Sequence, residues 1–371
     1  METKSSDPTF RVLALDGGGI KGTFTASLLA ELERMTGKRV GEYFDLITGT
    51  STGGIIAIAL ALGIPAEEVR RFYVEQGPAI FPSVGLHIRL RHQLRWLLSG
   101  KHNPDQLQSA LTSVFGSRKL GEARTRLVVP SFNVIDGSVT LFKTAHCARF
   151  RQDYLRRCVD VALATSAAPT YLPAHDVGDG RVYLDGGVWA NNPILVGVLE
   201  AIVNCAQQPT TIDVLNIGTT EEAFHVPQEM RRRGGALKWM SRVAPLFMQA
   251  QSDAVLKQAT ILIERKPYRI SPSVRPSRFS LDDSRQISDL QALGIDSARH
   301  HEQYLSPRFL AQLAKPLDPA HHLDTAPAVS ISCEGAIDSF HVSSSPTGLS
   351  PKSNPTGANA ANTRGGSSAR S

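Results

Sequence analysis

Short apolar runs alternate with longer amphipathic segments over the first 220 positions of the chain. Arg11–Leu15 and Ile212–Ile217 are apolar runs that end at glycine-containing turns, as buried strands do. Positions 23–35 and 194–205 instead carry apolar residues at helical spacing. Strands that alternate with helices in this way form a largely parallel sheet with helices on both faces. The pattern therefore predicts an α/β fold.

The alternation is broken in two places. Thr125–Ile135 and Val139–Lys143 flank an Asp-Gly pair, which predicts a β-hairpin. After Glu221 the pattern becomes helical and more polar, and residues 341–371 are rich in Ser, Pro, Gly, Asn and Thr. We expect a catalytic core over residues 1–220, a helical extension over 221–340 that completes the domain and provides a lid or regulatory region, and a disordered tail.

The most distinctive stretch is a serine framed by glycines between an apolar strand and an apolar helix. Gly49 and Gly53 stand two residues before and after Ser51, which is the pattern of a nucleophile elbow. The turn is so tight that side chains beside the serine would collide, so glycine is needed there. The serine oxygen would lie at a helix N-terminus, where free amides favour an oxyanion. The same pattern also fits a glycine-rich turn without chemistry.

A second glycine-rich turn, Asp16–Gly22, follows the first strand. Gly17, Gly19 and Gly22 satisfy the dinucleotide fingerprint Gly-x-Gly-x-x-Gly, which is weak evidence by itself. A Walker loop would need lysine after the last glycine, where Thr23 stands. The alternative is an oxyanion hole made of glycine amides, each donor being worth about 10²–10³ in rate. The pattern leaves both interpretations open, and the elbow downstream favours the oxyanion hole.

A serine nucleophile needs a base, and the sequence offers two kinds. Asp185 ends a predicted strand and precedes two glycines, so we expect it in the crevice at the carboxyl ends of the strands. Because an aspartate has a pKa of about 3.9, burial would have to raise it. The other kind is a histidine that follows the acid, as in a Ser-Asp-His triad. The downstream histidines, none in a glycine-framed loop, are His225, His300, His301, His321, His322 and His341.

Composition and charge narrow the possible functions. The 371 residues are 42% hydrophobic and 20% charged, and the net charge of +6 suits an anionic partner such as a phospholipid surface or a nucleotide. No basic stripe with interleaved aromatic residues is present, so we expect no nucleic acid. We expect no metal and no cofactor. The cysteines are scattered, which favours reduced thiols over disulfides or zinc: Cys147, Cys158, Cys205 and Cys333.

The sequence predicts neither a secretory signal nor a membrane span. Residues 1–8 are polar, and the apolar run from Gly53 to Ile64 is shorter than the roughly 20 residues that cross a bilayer. Segment 86–98 interleaves arginines with leucines, which fits either a helix on an anionic membrane or an ordinary surface helix. The basic positions 231–233 and 265–269 predict either a lid or sensing region or a solvated face.

Four motifs in order resemble the patatin-like phospholipase family: Asp16–Gly22, Gly49–Gly53, Ala164–Pro173 and Asp185–Pro193. The resemblance covers about residues 11–220 and implies the three-layer fold of that family. It also implies hydrolysis of acyl esters of membrane lipids without a metal. The implied machinery is a dyad of Ser51 as nucleophile and Asp185 as base, an oxyanion hole of Gly17, Gly18 and Gly19, and supporting glycines at Gly22, Gly49, Gly53, Gly186 and Gly187.

The overall layout is further similar to bacterial patatin-like effectors of anti-phage (CBASS) signalling, which a cyclic dinucleotide activates to degrade the cell's own membrane. The resemblance implies phospholipid substrates, a cyclic dinucleotide contacting basic residues after Glu221, and a cytoplasmic protein acting at the inner face of the membrane. The opposing hypothesis is a Rossmann-like nucleotide-binding module without hydrolase activity.

Overall fold

The computed structural model describes residues 9–81, 104–222, 242–275 and 278–325, together with short stretches between 226 and 239. The basic segment 86–98, the polar residues 1–8 and the tail from residue 341, all discussed above, lie outside the described residues.

Strands and helices alternate as the sequence predicts. The strands are β1 (Phe10–Leu15), β2 (Leu46–Gly49), β3 (Arg126–Asn133), β4 (Ser138–Lys143), β5 (His175–Asp176), β6 (Val182–Asp185), β7 (Ile212–Ile217), β8 (Glu221–Glu222), β9 (Tyr268–Ile270) and β10 (Ser273–Val274). The α-helices are α1 (Gly22–Thr36), α2 (Thr52–Ala61), α3 (Ala66–Ile80), α4 (Pro104–Phe115), α5 (Cys158–Ser166), α6 (Gly187–Ala190), α7 (Ile194–Val203), α8 (Gln228–Arg233), α9 (Val243–Leu262) and α10 (Ile287–Arg308).

The main sheet has the order β5-β6-β3-β2-β1-β7-β9, and β4 pairs with β3 beside this path. Strands β3, β2, β1, β7 and β9 are mutually parallel. Strands β4 and β6 run antiparallel to β3, and β4 forms the predicted hairpin with it. The prediction of a mostly parallel α/β sheet is therefore confirmed. Strands β8 and β10 form a separate two-stranded ladder.

Helices cover both faces of the sheet because successive strand residues point to opposite sides. Leu13 and Leu15 of β1 belong to a large core that includes residues of α1 to α5 and α10. Val12 and Ala14 of the same strand belong to a second core with α7 and α9. The result is a three-layer arrangement with the sheet in the middle. None of the described helices combines the length and hydrophobicity that crossing a bilayer requires.

The segment after Glu221 is helical, as predicted, but it also contributes a strand to the sheet. β9 pairs in parallel with β7, α9 packs against α6 and α7, and α10 packs against α1. A three-residue strand is too short for its hydrophobic pattern to be recognised in the sequence. This part of the chain therefore shares the two hydrophobic cores of the first 220 residues.

Candidate active site

Two strands approach each other end to end along one edge of β3. β2 pairs with β3 as far as Val128, and β6 pairs with it from Ser131 onwards in the opposite direction. Both lie on the edge that faces away from β4, because β4 pairs with the same residues of β3 on the other edge. The carboxyl ends of β2 and β6 therefore face each other. Ser51, just past β2, and Asp185, the last residue of β6, come together at this junction.

The direction of the strand that carries Asp185 differs from the one expected from the sequence. We expected Asp185 at the carboxyl end of one of the parallel strands, but β6 is antiparallel to β3. It points its own carboxyl end at the carboxyl end of β2 because β3 is long enough to pair with both. Asp185 ends its strand next to Ser51, and the direction of that strand is opposite to the expected one.

Ser51 occupies a strained backbone conformation, with φ 56° and ψ −123°. Such positive φ values are uncommon for residues other than glycine and occur at functional sites. The turn closes because both framing glycines lack side chains. A Cβ on Gly49 would lie 2.1 Å from the Gly53 carbonyl oxygen, and a Cβ on Gly53 would lie 2.3 Å from the Leu15 carbonyl oxygen. The geometry is that of a nucleophile elbow.

The Ser51 hydroxyl lies next to the carboxylate of Asp185 and is placed to donate a hydrogen bond to it. Asp185 is 4% exposed, and its Oδ1 also accepts a hydrogen bond of 2.6 Å from the Gly187 amide. Burial raises the pKa of Asp185 to about 6, although the hydrogen bonds from Ser51 and Gly187 act in the opposite direction. The carboxylate therefore remains mostly ionised at neutral pH while being a stronger base than an exposed aspartate.

No histidine in the described part of the chain hydrogen-bonds to Ser51 or Asp185. His301 accepts or donates a hydrogen bond of 2.8 Å with Tyr268, and His321 contacts the Ala148 carbonyl. The geometry thus favours the dyad over the triad. The described residues also contain no cluster of three or more His, Cys, Asp or Glu side chains suited to a metal ion.

Thr165, for which the sequence analysis assigned no role, bridges the gap between β2 and β6. Its Oγ1 accepts a hydrogen bond of 3.1 Å from the Ser51 amide and donates one of 2.6 Å to the Pro130 carbonyl. Its own carbonyl accepts a hydrogen bond from the Gly186 amide at 3.2 Å. Thr165 is fully buried and thus fixes both ends of the junction. Its position in the motif Ala164–Pro173 was the available signal.

The glycine loop after β1 lies against Ser51. A Cβ on Gly17 would be 3.3 Å from Ser51 Cβ and 2.6 Å from Asn191 Oδ1. The Gly17 amide, however, donates a hydrogen bond of 2.9 Å to the Asn191 carbonyl. Position 17 therefore has no room for a side chain. The Gly17 N–H already donates a hydrogen bond to Asn191 and is not available to an oxyanion. Within the described residues the amides of Gly18 and Gly19 have no hydrogen-bond partner, so these two are the donors available to an oxyanion.

The supporting glycines all lie where a side chain would collide with a neighbour. A Cβ would lie 2.1 Å from Thr52 Oγ1 at Gly22, 2.3 Å from the Pro130 carbonyl oxygen at Gly186, and 3.0 Å from Asp185 Oδ1 at Gly187. Gly17 and Gly22 of the dinucleotide fingerprint therefore pack against the elbow, and Gly19 packs against the Leu281 carbonyl. Their spacing has a steric reason that does not involve a nucleotide.

Not every basic residue after Glu221 fits the prediction of a lid or sensing region or of a solvated face. Arg269 forms an ion pair of 2.8 Å with Asp16 and one of 2.6 Å with Glu221, and its side chain is 15% exposed. It is neither a solvated residue nor a free cation. Arg265 contacts Asp213 at 3.2 Å from an exposed position, while Arg231, Arg232 and Lys266 are exposed.

Known proteins resemble this chain over most of its length. The family model described as Patatin-like phospholipase matches residues 13–198, a range that contains the glycine loop, Ser51 and Asp185. A protein of Pseudomonas aeruginosa named cGAMP-activated phospholipase is 36% identical over 289 residues, which cover 78% of this chain and 84% of that protein. A Vibrio cholerae protein of the same name is 36% identical, covering 68% and 77%. Patatin-like protein 1 of Oryza sativa subsp. indica is 32% identical, covering 70% and 72%.

Proposed function

This chain belongs to the patatin-like phospholipase family, and we propose that it hydrolyses the acyl esters of membrane phospholipids with Ser51 and Asp185. The observation that best supports this proposal is the position of the Ser51 hydroxyl next to the buried Asp185 carboxylate. The glycine loop contacts Ser51 through Gly17, and among the described residues the amides of Gly18 and Gly19 have no hydrogen-bond partner. A nucleophile, its base and oxyanion donors within one small volume are the requirements of acyl transfer.

In the first half of the reaction, Asp185 takes the proton of the Ser51 hydroxyl as its oxygen attacks the ester carbonyl carbon. The carbonyl oxygen becomes negatively charged and accepts hydrogen bonds from the amides of Gly18 and Gly19, near the N-terminus of α2. The tetrahedral intermediate collapses, the carbon–oxygen bond to the alcohol breaks, and Asp185 returns the proton to the departing lysophospholipid. Ser51 is then acylated.

In the second half, Asp185 takes a proton from water as that water attacks the acyl-Ser51 carbonyl. The same amides bind the second oxyanion. When the intermediate collapses, the proton returns to the Ser51 oxygen and the fatty acid is released. Because one carboxylate serves as base and acid in turn, its pKa needs to lie near the working pH, which is what the burial of Asp185 provides.

The mechanism is tested by the variants Ser51→Ala and Asp185→Asn. Each is expected to reduce fatty-acid release from phospholipid vesicles by at least about 10³-fold, because each removes a group that bonds to the reacting atoms. Asp176→Asn, which alters an exposed carboxylate at the end of β5, is the matched control and should retain wild-type activity. A fluorophosphonate should label Ser51. Full activity of Ser51→Ala, or nucleotide binding at the loop without any labelling, would reject the hydrolase.

We further propose that a cyclic dinucleotide activates the enzyme. Two relatives at 36% identity carry the name cGAMP-activated phospholipase, and the net charge of +6 attracts a dianionic nucleotide. The exposed Arg231 and Arg232 are the candidates for its phosphates, since Arg269 is already paired with carboxylates. Hydrolysis of vesicles should increase with added cGAMP and not with its linear hydrolysis product. An unchanged rate would reject the activation and leave the hydrolase intact.

Because the proposed substrates are membrane phospholipids, we expect the enzyme to act at a membrane surface. We propose that the enzyme works at the inner face of the cytoplasmic membrane and degrades the cell's own phospholipids when the nucleotide appears, in the manner of an anti-phage effector. Cells that produce the wild-type enzyme together with cGAMP should release fatty acids and lose membrane integrity. Cells that produce Ser51→Ala should do neither, and equal damage in both would contradict the proposal.

A further inference from the structure

A partly buried polar network lies next to the glycine loop, at the carboxyl end of β7. Its centre is Arg269 of β9, whose Nη2 donates to Asp16 Oδ2 at 2.8 Å and to Glu221 Oε1 at 2.6 Å. Its Nη1 donates to Asn216 Oδ1, and the Asn216 amide group donates to Asp16 Oδ1 at 2.9 Å. Both oxygens of Asp16 are thus held, one by Arg269 and one by Asn216. None of these residues takes part in the mechanism above.

The network also reaches the loop that follows Asp185. Asn192 Nδ2 donates to Asn216 Oδ1 at 3.0 Å, and the Asn192 backbone amide donates to Gln251 of α9 at 3.1 Å. The neighbouring carbonyl of Asn191 accepts the hydrogen bond from Gly17. The same set of side chains therefore holds Asp16 and Asn192. Asp16 directly precedes Gly17, and Asn192 directly follows Asn191, whose carbonyl accepts the hydrogen bond from the Gly17 amide.

We propose that Arg269 is a positioning residue for ester hydrolysis: through Asp16 it holds the amides of Gly18 and Gly19 where the oxyanion forms. The inference rests on the hydrolase proposed above. The loop has other contacts, namely the packing of Gly18 against Thr219 and hydrogen bonds from the Asp16 amide to Ile217, from the Ile20 amide to Leu281 and from Lys21 Nζ to Thr220. None of these contacts holds the carboxylate of Asp16, which Arg269 and Asn216 bind.

The chemistry of the guanidinium explains why an arginine is needed here. Its planar group donates to Asp16, Asn216 and Glu221 at the same time, and lysine, as a point charge, cannot reproduce that geometry. Burial raises the pKa of Asp16, while Arg269 and Asn216 favour its ionised form. Without Arg269, Asp16 would be a buried carboxylate facing Glu221 with one oxygen unpaired. Such a group becomes protonated or moves towards water, and the adjoining glycines would move with it.

The test compares Arg269→Gln and Arg269→Lys with Arg308→Gln in the full-length protein. Arg308 forms an ion pair of 2.6 Å with Asp213, which is 1% exposed and lies at the opposite end of β7. With p-nitrophenyl butyrate as substrate, and cGAMP present throughout, Arg269→Gln should lower kcat by about 10²-fold with little change in KM, because misplaced donors affect the transition state more than substrate binding. Arg269→Lys should fall between Arg269→Gln and the wild type, and Arg308→Gln should keep the wild-type kcat.

A second measurement separates positioning from general destabilisation. If Arg269 acts through Asp16, the double variant Arg269→Gln/Asp16→Asn should lose no more of its kcat than the more impaired single variant. Additive losses would overturn the inference, and so would a wild-type kcat in Arg269→Gln. Equal losses of kcat and of thermal stability in Arg269→Gln and Arg308→Gln would overturn it as well. If Arg269→Gln does not fold, the Arg269→Lys and Asp16→Asn pair gives the same comparison. Absence of Ser51-dependent hydrolysis in the wild type would instead reject the hydrolase itself.

Discussion

Burial of Asp185 has opposite effects on folding and on the proposed chemistry. Taking the carboxylate out of water raises its pKa to about 6 from 3.8, which makes it a better acceptor for the Ser51 proton. The same burial disfavours the ionised form in the folded protein and lowers stability at neutral pH. Each effect leads to a separate measurement.

The pH dependence of the reaction should report the titration of Asp185. The base must be ionised to accept a proton, so kcat/KM for a soluble ester should rise with pH through about 6 and become constant above that value. Initial rates between pH 4.5 and 8.5, at about 0.5 unit intervals, would measure the profile. A profile that is flat down to about pH 4.5 would mean that Asp185 is not the base.

Asp185→Asn should be inactive and yet more stable than the wild type at neutral pH. Because the folded-state pKa is raised, the wild type binds a proton more tightly when folded, and this contribution is lost as the pH rises from about 4 to about 6. The asparagine does not titrate. Its advantage in free energy of unfolding should therefore increase by about 2 kcal/mol between these pH values. Urea unfolding of both proteins at the two ends of this window tests the sign, and a constant difference would contradict it.

Thr165→Val should impair both folding and hydrolysis. The valine has the same shape but takes the hydroxyl away from the half-buried Ser51 amide and the buried Pro130 carbonyl, and a buried polar group that loses its partner costs about 1–3 kcal/mol. We expect kcat to fall by about 10-fold or more because the Ser51 backbone loses its anchor. Thr165→Ser keeps the hydroxyl and should restore most of the rate. Equal activity of the two variants would show that the hydroxyl has no positioning role.

At the level of elements, the elbow depends on close contact between the turn after β2 and the end of β1. Apart from Thr52, α2 contains only apolar residues, and all its residues are buried, so the helix is held between the sheet and its neighbours with no freedom to shift. The first turn of α2 is pressed against the carbonyls of β1, which explains the need for glycine at position 53.

Gly53→Ala should therefore be far more damaging than a glycine substitution in an open turn. Its Cβ would meet two backbone oxygens, those of Leu15 at 2.3 Å and Asp16 at 2.7 Å, and neither strand nor helix can yield. We expect a loss of about 3 kcal/mol or more in stability and no fluorophosphonate labelling. Gly37→Ala is the control: its φ is +67° and nothing lies near its Cβ, so it should cost only about 1–2 kcal/mol and keep the label. Similar stabilities for the two variants would contradict this account.

For the molecule as a whole, the part after Glu221 is structural as well as regulatory in the proposed function. Leu290, Ala298 and Leu305 of α10 are almost completely buried against the large core, and β9 covers one edge of β7. Gln251 and Arg269 of this part also hold the two active-site loops. A signal received after Glu221 would therefore have direct contacts through which to reach Ser51.

Two truncated chains should test the structural role of the part after Glu221. A chain that ends at residue 222 exposes the surface of α1 that α10 covers, and we expect it to lack a cooperative thermal transition by circular dichroism. A chain that ends at residue 340 removes the predicted tail, and it should keep the melting temperature and activity of the full-length protein. Cooperative unfolding of the shorter chain would show that the first 222 residues fold alone.

The amino-acid sequence by itself determined the fold class and the candidate catalytic residues. Apolar runs that alternate with helical periodicity predict a parallel α/β sheet, because a strand buried on both faces must be apolar throughout. Glycines that stand at fixed distances around Ser51 predict the elbow, since a tight turn leaves no room for Cβ atoms. These are local properties, and each can be recognised within a few residues.

The tertiary structure alone decided what depends on strand direction and on partners far away in the chain. The antiparallel direction of β6, the addition of β9 to the sheet, and the bridging role of Thr165 depend on pairings that no local pattern encodes. The same holds for the engagement of the Gly17 amide by Asn191 and for the pairing of Arg269 with Asp16. A side chain's type fixes what it can bond to, but the folded chain determines which groups lie within reach.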